Sequence, residues 1–295
     1  MSNYTSIKRL TGSNHLDGKS LIEILKPPHQ KLAIVISSPH SGRSYSNEFL
    51  SSSQLNAIKI RASEDPYVDE IYRGAVNIGI PTINALYPRA FVDPNRAASE
   101  LDPNMFFGKV SNYKPSPRVT AGYGVIPRCV ASGVEIYSKE IPAIEATRRI
   151  ETYYKPYHSN LALLIEETKS RFGKCLLLDC HSMPSKSTDS RENKNIGHKD
   201  IVLGDRFGKS CAPWITESSS LFFTKLGLSV SVNNPYAGAH ITTHYGNPSK
   251  NVHALQIEIN RNLYMNETNF TPTTGLAKIS GIMQRFLEKI GEVIN

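Results

Sequence analysis

Two histidines stand at the ends of apolar runs, and together they suggest metal chemistry. His40 closes "LAIVISSPH" (residues 32–40) and His181 closes "CLLLDCH" (175–181). Both runs have the unalternating Ile, Val and Leu content of strands buried on two faces. Ligand and catalytic groups collect just past the carboxyl ends of such strands. Two imidazoles on one sheet edge could share a divalent ion. Zinc is the natural candidate, because it takes neutral imidazole nitrogen and carboxylate oxygen. A third protein ligand would then be a carboxylate, leaving one position open for water.

The stretch "SEDPYVDEIY" (63–72) offers Glu64, Asp65 and Asp69. Asp65 precedes Pro66, so it equally reads as the N-cap of a helix that starts on the proline. A carboxylate has oxygens enough for both roles. Asp179, two residues before His181, falls on the same face of its strand and could orient an imidazole or cap the following turn. Glu258, in "ALQIEINRNLY" (254–264), sits among Leu255, Ile257 and Ile259. A buried carboxylate needs a partner or a job. It either pairs with Arg261 or another base, or serves as a general base whose pKa burial has raised. His240, His244 and His253 form a rival metal set, whereas His15, His29, His158 and His198 read as loop or polar-face residues.

The elements that must position these groups alternate. Strands are expected at 32–37, 80–86, 175–180, 200–204, 228–233 and 254–259, and helices at 19–25, 66–77, 139–172, 206–211, 217–226 and 275–293. Pro156 should break or kink the long helix. This order predicts an α/β fold, a central mixed and mainly parallel sheet flanked by helices. Residues 87–135 are rich in Pro, Gly, Asn and Tyr and read as a long functional loop. No repeat or linker divides the chain, so one domain over 1–295 is expected.

Composition bounds the partners. Of 295 residues, 39% are hydrophobic and 20% charged, as in soluble globular proteins. Apolar runs stay below about ten residues, short of the roughly 18 a membrane helix needs. "MSNYTSIKRL" has no apolar signal region. The four cysteines lack metal-type CxxC spacing. Cys175 and Cys180 should point to opposite faces of one strand and stay unpaired, which fits a reducing, cytoplasmic setting. The net charge of +8 suits a solvated basic surface or attraction of a small anionic substrate. No nucleic-acid-binding pattern accompanies it.

The stretches "SPHSG", "EDPYVDEIY", "FVDPNR", "LLLDCHS", "HITTHYGNP" and "VHALQIEINRNLYMNE" resemble, in order, the N-formylglutamate amidohydrolase family, across roughly residues 35–267. The resemblance implies a fold related to zinc carboxypeptidases, one Zn²⁺ per chain and hydrolysis of an amide next to an amino-acid carboxylate. It makes His40, Asp65 and His181 the metal ligands and Glu258 the base. Asn95 and Arg96 become the grip on a substrate carboxylate, and His244 a contact near the acyl or side-chain end. Arg128, in "GVIPR", is the candidate cation for the oxyanion, and equally a surface residue. One departure stands out: Thr243 occupies the place of a family arginine, and threonine cannot clamp a second carboxylate. The expected activity is that of an N-acyl amino acid amidohydrolase. The rivals are a carboxypeptidase-like peptidase, a deacylase of other N-acyl amino acids, or a basic binding protein on the same fold.

Overall fold

The computed structural model describes residues 6–11, 20–185 and 199–294; His15 and His198 lie outside them. Strands β1 (Ser6–Thr11), β2 (Ser20–Lys26), β3 (Ile34–Ser38), β4 (Thr82–Ala85), β5 (Cys175–Met183), β6 (Ile201–Gly204), β7 (Val230–Val232) and β8 (Val252–Asn260) form one sheet, in the order β1-β2-β4-β3-β5-β8-β6-β7. Four neighbouring pairs run parallel (β4–β3, β3–β5, β5–β8 and β6–β7) and three antiparallel. The sheet is therefore mixed, with its parallel core at the predicted strands.

Both faces of that core are covered. On one side Val35, Leu177 and Ala254 meet Tyr157, Leu161 and Leu164 of α1 (Lys155–Phe172). On the other, Ile36, Leu178 and Ile257 join a cluster that holds Phe223 of α2 (Pro213–Lys225). A short helix, α3 (His240–Tyr245), follows near the site. The last helix, α4 (Gly275–Ile294), turns Ile279, Ile282, Met283, Phe286 and Ile290 onto the second face. Their spacing of three and four is that of an amphipathic helix. Cys175 packs in the first cluster and Cys180 in the second, so period-two alternation does separate them, and all four cysteines are free. No helix among the described residues is long and apolar enough to cross a membrane.

Several expected elements change. The segment 19–25 is not a helix but β2, hydrogen-bonded to β1 and β4. Leu21, Ile22, Ile24 and Leu25 are all buried, and an apolar run this short fits either period. Residues 66–77 hold only Val68–Ile71 and a 3₁₀ segment, Arg73–Ile78. Residues 206–211 form a turn rather than a helix. Pro156 does not break its helix. A π-helical turn, Ile150–Tyr154, joins Ile144–Arg149 to α1. Such a widened turn absorbs the carbonyl that a proline leaves without its N–H partner.

Candidate active site

His40 sits two residues beyond β3, in a turn pressed against the backbone after β4. A Cβ on Gly42 would lie 2.0 Å from the Tyr87 carbonyl oxygen, so only glycine lets the two segments meet. The His40 carbonyl accepts the Asp65 backbone N–H at 3.0 Å, which ties two of the candidate ligand segments together. His40 Nε2 lies 2.7 Å from Asp93 Oδ1. Asp93 is buried, and its other oxygen accepts from Arg89 Nε at 2.9 Å. Burial alone would raise this carboxyl, but Arg89 and His40 hold it well below the usual carboxylate range. An ionised Asp93 puts the imidazole proton on Nε2 and leaves the Nδ1 lone pair facing inward.

His181 lies within β5 rather than past its end. Its Nε2 is 3.0 Å from Asp179 Oδ2, so Asp179 does stand behind an imidazole. Burial opposes protonation of His181, yet the charge of Asp179 and bonds from Asp179 and Asp65 hold its pKa well above the ordinary value. This pocket seeks a cation.

Asp65 does not cap a helix. The residue before Val68–Ile71 is Tyr67, in a left-handed conformation with no side-chain cap. Asp65 Oδ2 instead lies 3.0 Å from His181 Nδ1 and 3.3 Å from His40 Nδ1, while the two Nδ1 atoms are 3.0 Å apart. Its Oδ1 accepts from Arg261 Nη2 at 3.0 Å. Tetrahedral zinc with bonds of about 2.0–2.1 Å keeps its donors roughly 3.3 Å apart, close to this 3.0–3.3 Å triangle. All three residues are buried. The donor set, its spacing and the carboxylates behind both rings fit a divalent metal.

Glu258 reaches the same spot from the neighbouring strand. β8 runs parallel to β5 with Glu258 in register with His181. The Glu258 carboxyl accepts the Gln256 amide at 2.8 Å, and burial pushes its pKa up to about 7. Arg261 is not its salt-bridge partner, because that guanidinium is bonded to Asp65 and Ser182. A buried carboxyl near neutrality beside such a triangle can move protons.

These groups open onto a cavity of about 610 Å³. Arg96 lines it, with Nε donating to the Tyr123 carbonyl at 3.0 Å and Nη1 to the Asn95 carbonyl at 2.8 Å. Burial, with Arg89 and Arg118 nearby, lowers its pKa to about 10. Asn95 also lines the cavity, but its amide is committed. It donates to Asp179 Oδ2 at 3.1 Å, and its Oδ1 accepts the Ile241 N–H at 2.8 Å. Asn95 thus braces the site more than it offers a grip.

Two expected residues stand apart. Arg128 is absent from the cavity lining and is tied to Asp102 at 3.2 Å and to Glu135. His244 is exposed on α3, stacked on His240, and does not line the cavity either. The rival metal set does not assemble, since His253 packs edge-on against Trp214, away from His240 and His244. Sequence reasoning missed Asp93, Arg89 and Gln256. Asp93 was visible only as the turn residue of "DPNR", and nothing local marked it as the partner of His40.

The family model of N-formylglutamate amidohydrolase matches residues 32–265. The N-formylglutamate deformylase of Pseudomonas putida is 28% identical over 264 residues, 88% of this chain and 92% of that protein. Its counterpart in Pseudomonas aeruginosa is also 28% identical, over 83% of this chain and 86% of that one. The crystal structure of N-formylglutamate amidohydrolase from Ralstonia eutropha JMP134 matches with a TM-score of 0.85 and 30% identity, covering 93% of this chain and 98% of that chain. The product Atu2144 of Agrobacterium tumefaciens, 17% identical, shares the fold at a TM-score of 0.67. A family match over most of the chain, joined to that agreement in fold, makes this protein a member of the N-formylglutamate amidohydrolase family.

Proposed function

We propose that this protein hydrolyses the amide of N-formylglutamate or a close N-acyl amino acid, giving formate or another acid and the free amino acid. His40, Asp65 and His181 would hold one zinc ion. The observation that carries the reading is the meeting of two carboxylate-backed imidazoles, one carboxylate and a near-neutral Glu258 in one cavity.

Zinc held there would supply a Lewis acid for the acyl carbonyl and would lower the pKa of water. Glu258 accepts the proton of the attacking water and passes it to the leaving amine nitrogen. Arg89 takes the role first given to Arg128. It lines the cavity, and its charge is felt by Asp65 and Glu258, so it can offset negative charge that develops on the acyl oxygen. Arg96 binds the α-carboxylate. Its Nη2 makes no hydrogen bond among the described residues, which leaves donors for a planar anion.

The test is a hydrolysis panel with zinc present, covering N-formyl and N-acetyl derivatives of glutamate, aspartate and neutral amino acids. Turnover of N-formyl acids, with their carboxamides far slower, is the expected result. Glu258→Gln should keep its metal and lose on the order of 10² to 10⁴ in rate. A panel without turnover, or cleavage confined to C-terminal peptide bonds, rejects the reading. A Gln variant within a few-fold of wild type removes Glu258 from the mechanism.

A further inference from the structure

We infer that Arg206 binds the side-chain carboxylate of the substrate, supplying from the loop after β6 the cation that residue 243 lacks. This inference rests on the N-acyl amino acid reading above and names its specificity residue. Thr243 is exposed on α3, and its hydroxyl is bonded to the Ala239 carbonyl at 2.7 Å, so it brings no charge to the cavity.

Arg206 does line the cavity. Gly204, two residues earlier, pairs with Gln256, so the chain leaves β6 beside the strand that carries Glu258. The conformation there is unusual. Arg206 and Phe207 both have φ of 57° and Gly208 has 77°, three left-handed residues in succession. Left-handed backbone is disfavoured for residues with a Cβ and persists only where the surroundings impose it. Here Asp205 imposes it. Its Oδ1 accepts the Gly208 N–H at 3.0 Å and the Asn233 amide at 2.7 Å, and its Oδ2 accepts the Thr216 hydroxyl at 2.9 Å.

The facing loop completes the clamp. The Arg206 N–H donates to the Ala237 carbonyl at 2.8 Å. A Cβ on Gly238 would lie 3.0 Å from Arg206 Cδ, so the arginine stem lies close along that wall. The backbone is held, yet the guanidinium has no hydrogen bond or ion pair among the described residues. The other cavity arginines differ. Arg89 is bonded to Asp93, Arg261 to Asp65 and Arg96 to two carbonyls. Arg118 is exposed on the short helix Pro117–Thr120, without a comparable brace. A planar fork on a rigid loop matches a carboxylate with two parallel hydrogen bonds.

The experiment compares N-formylglutamate with N-formylglutamine on zinc-loaded wild type, Arg206→Asn and Arg206→Lys. Asparagine tolerates left-handed backbone, so that variant should keep the loop. Arg206→Asn is expected to raise KM for N-formylglutamate about 10- to 100-fold, the range of a charge-assisted hydrogen bond, with kcat and the glutamine substrate within about 3-fold. Arg206→Lys should fall between. Equal effects on both substrates, or none, overturn the inference. A wild type that hydrolyses both equally well overturns it too, while leaving the proposed function standing. If wild type hydrolyses neither, the wider panel judges the proposed function, and calorimetric binding of glutarate judges Arg206. Binding about tenfold weaker in Arg206→Asn supports it, and equal binding rejects it.

Discussion

The chain gathers two groups of imidazoles, and they differ in what stands behind the rings. His40 and His181 have ring centroids 4.7 Å apart, and His158 and His240 5.5 Å. In the first group the outer nitrogens meet Asp93 and Asp179. In the second, His158 Nε2 meets the Pro94 carbonyl at 2.9 Å, and His240 Nε2 meets the Tyr154 hydroxyl at 3.0 Å. Neutral partners do not offset the cost of a buried charge, so burial pushes the pKa of His158 down to about 3 and that of His240 to about 4. Burial opposes a charge on the buried His181 as it does on the half-buried His158 and His240, and the charge of the partner decides the outcome. One group becomes a cation-seeking site, the other a neutral aromatic brace.

The strongest way to break this contrast is to delete rings from each group. His40→Ala and His181→Ala should each abolish retention of stoichiometric divalent metal through dialysis, with the fold largely kept. His240→Ala should retain it. Elemental analysis of the purified variants decides, and full metal occupancy in both His40 and His181 variants would reject the triad.

A smaller effect tests the carboxylates themselves. Asp93→Asn and Asp179→Asn keep shape while removing charge, and each should weaken metal affinity by roughly 10- to 100-fold. Competition with a chelator measures this. Wild-type affinity in both variants would mean that the partner's charge is not what separates the two groups.

The mildest test concerns the neutral group. His158 has a folded pKa of about 3, below its ordinary value of 6.5. The unfolded chain therefore binds a proton that the folded chain refuses, and stability falls as pH drops from 6.5 towards 3. The slope from this residue is at most about 1.4 kcal/mol per pH unit. Urea unfolding at several values between pH 6.5 and 4.5 should show a shallower decline in His158→Gln than in wild type, whatever the variant's stability at neutral pH. Parallel curves would contradict a half-buried neutral imidazole at 158.

Much of this was readable locally. The unalternating runs before His40 and His181 gave the central strands, because a strand covered on both faces has no polar side to display. The spacing of Ile279, Ile282, Met283 and Phe286 marked α4, because a helix covered on one side turns a single apolar stripe inward. Asp179 was legible as a brace for His181, because residues two apart on a strand share a face. The short run at Leu21–Leu25 was not legible, since few residues separate the two periods there.

The sequence by itself determined the donor types, the buried strands that carry them and Glu258 as a carboxylate in an apolar strand. Only the tertiary structure decided which donors meet. Asp93 reaches His40 across 53 residues, and Asp65 leaves its expected cap to lie between two rings brought together by the pairing of β3 with β5. The same packing set Arg128 and His244 outside the cavity and brought Arg89 and Arg206 to its wall. Periodicity reports how a segment is buried, whereas the partners of a side chain depend on strand order and on where long loops return, and no local spacing encodes those.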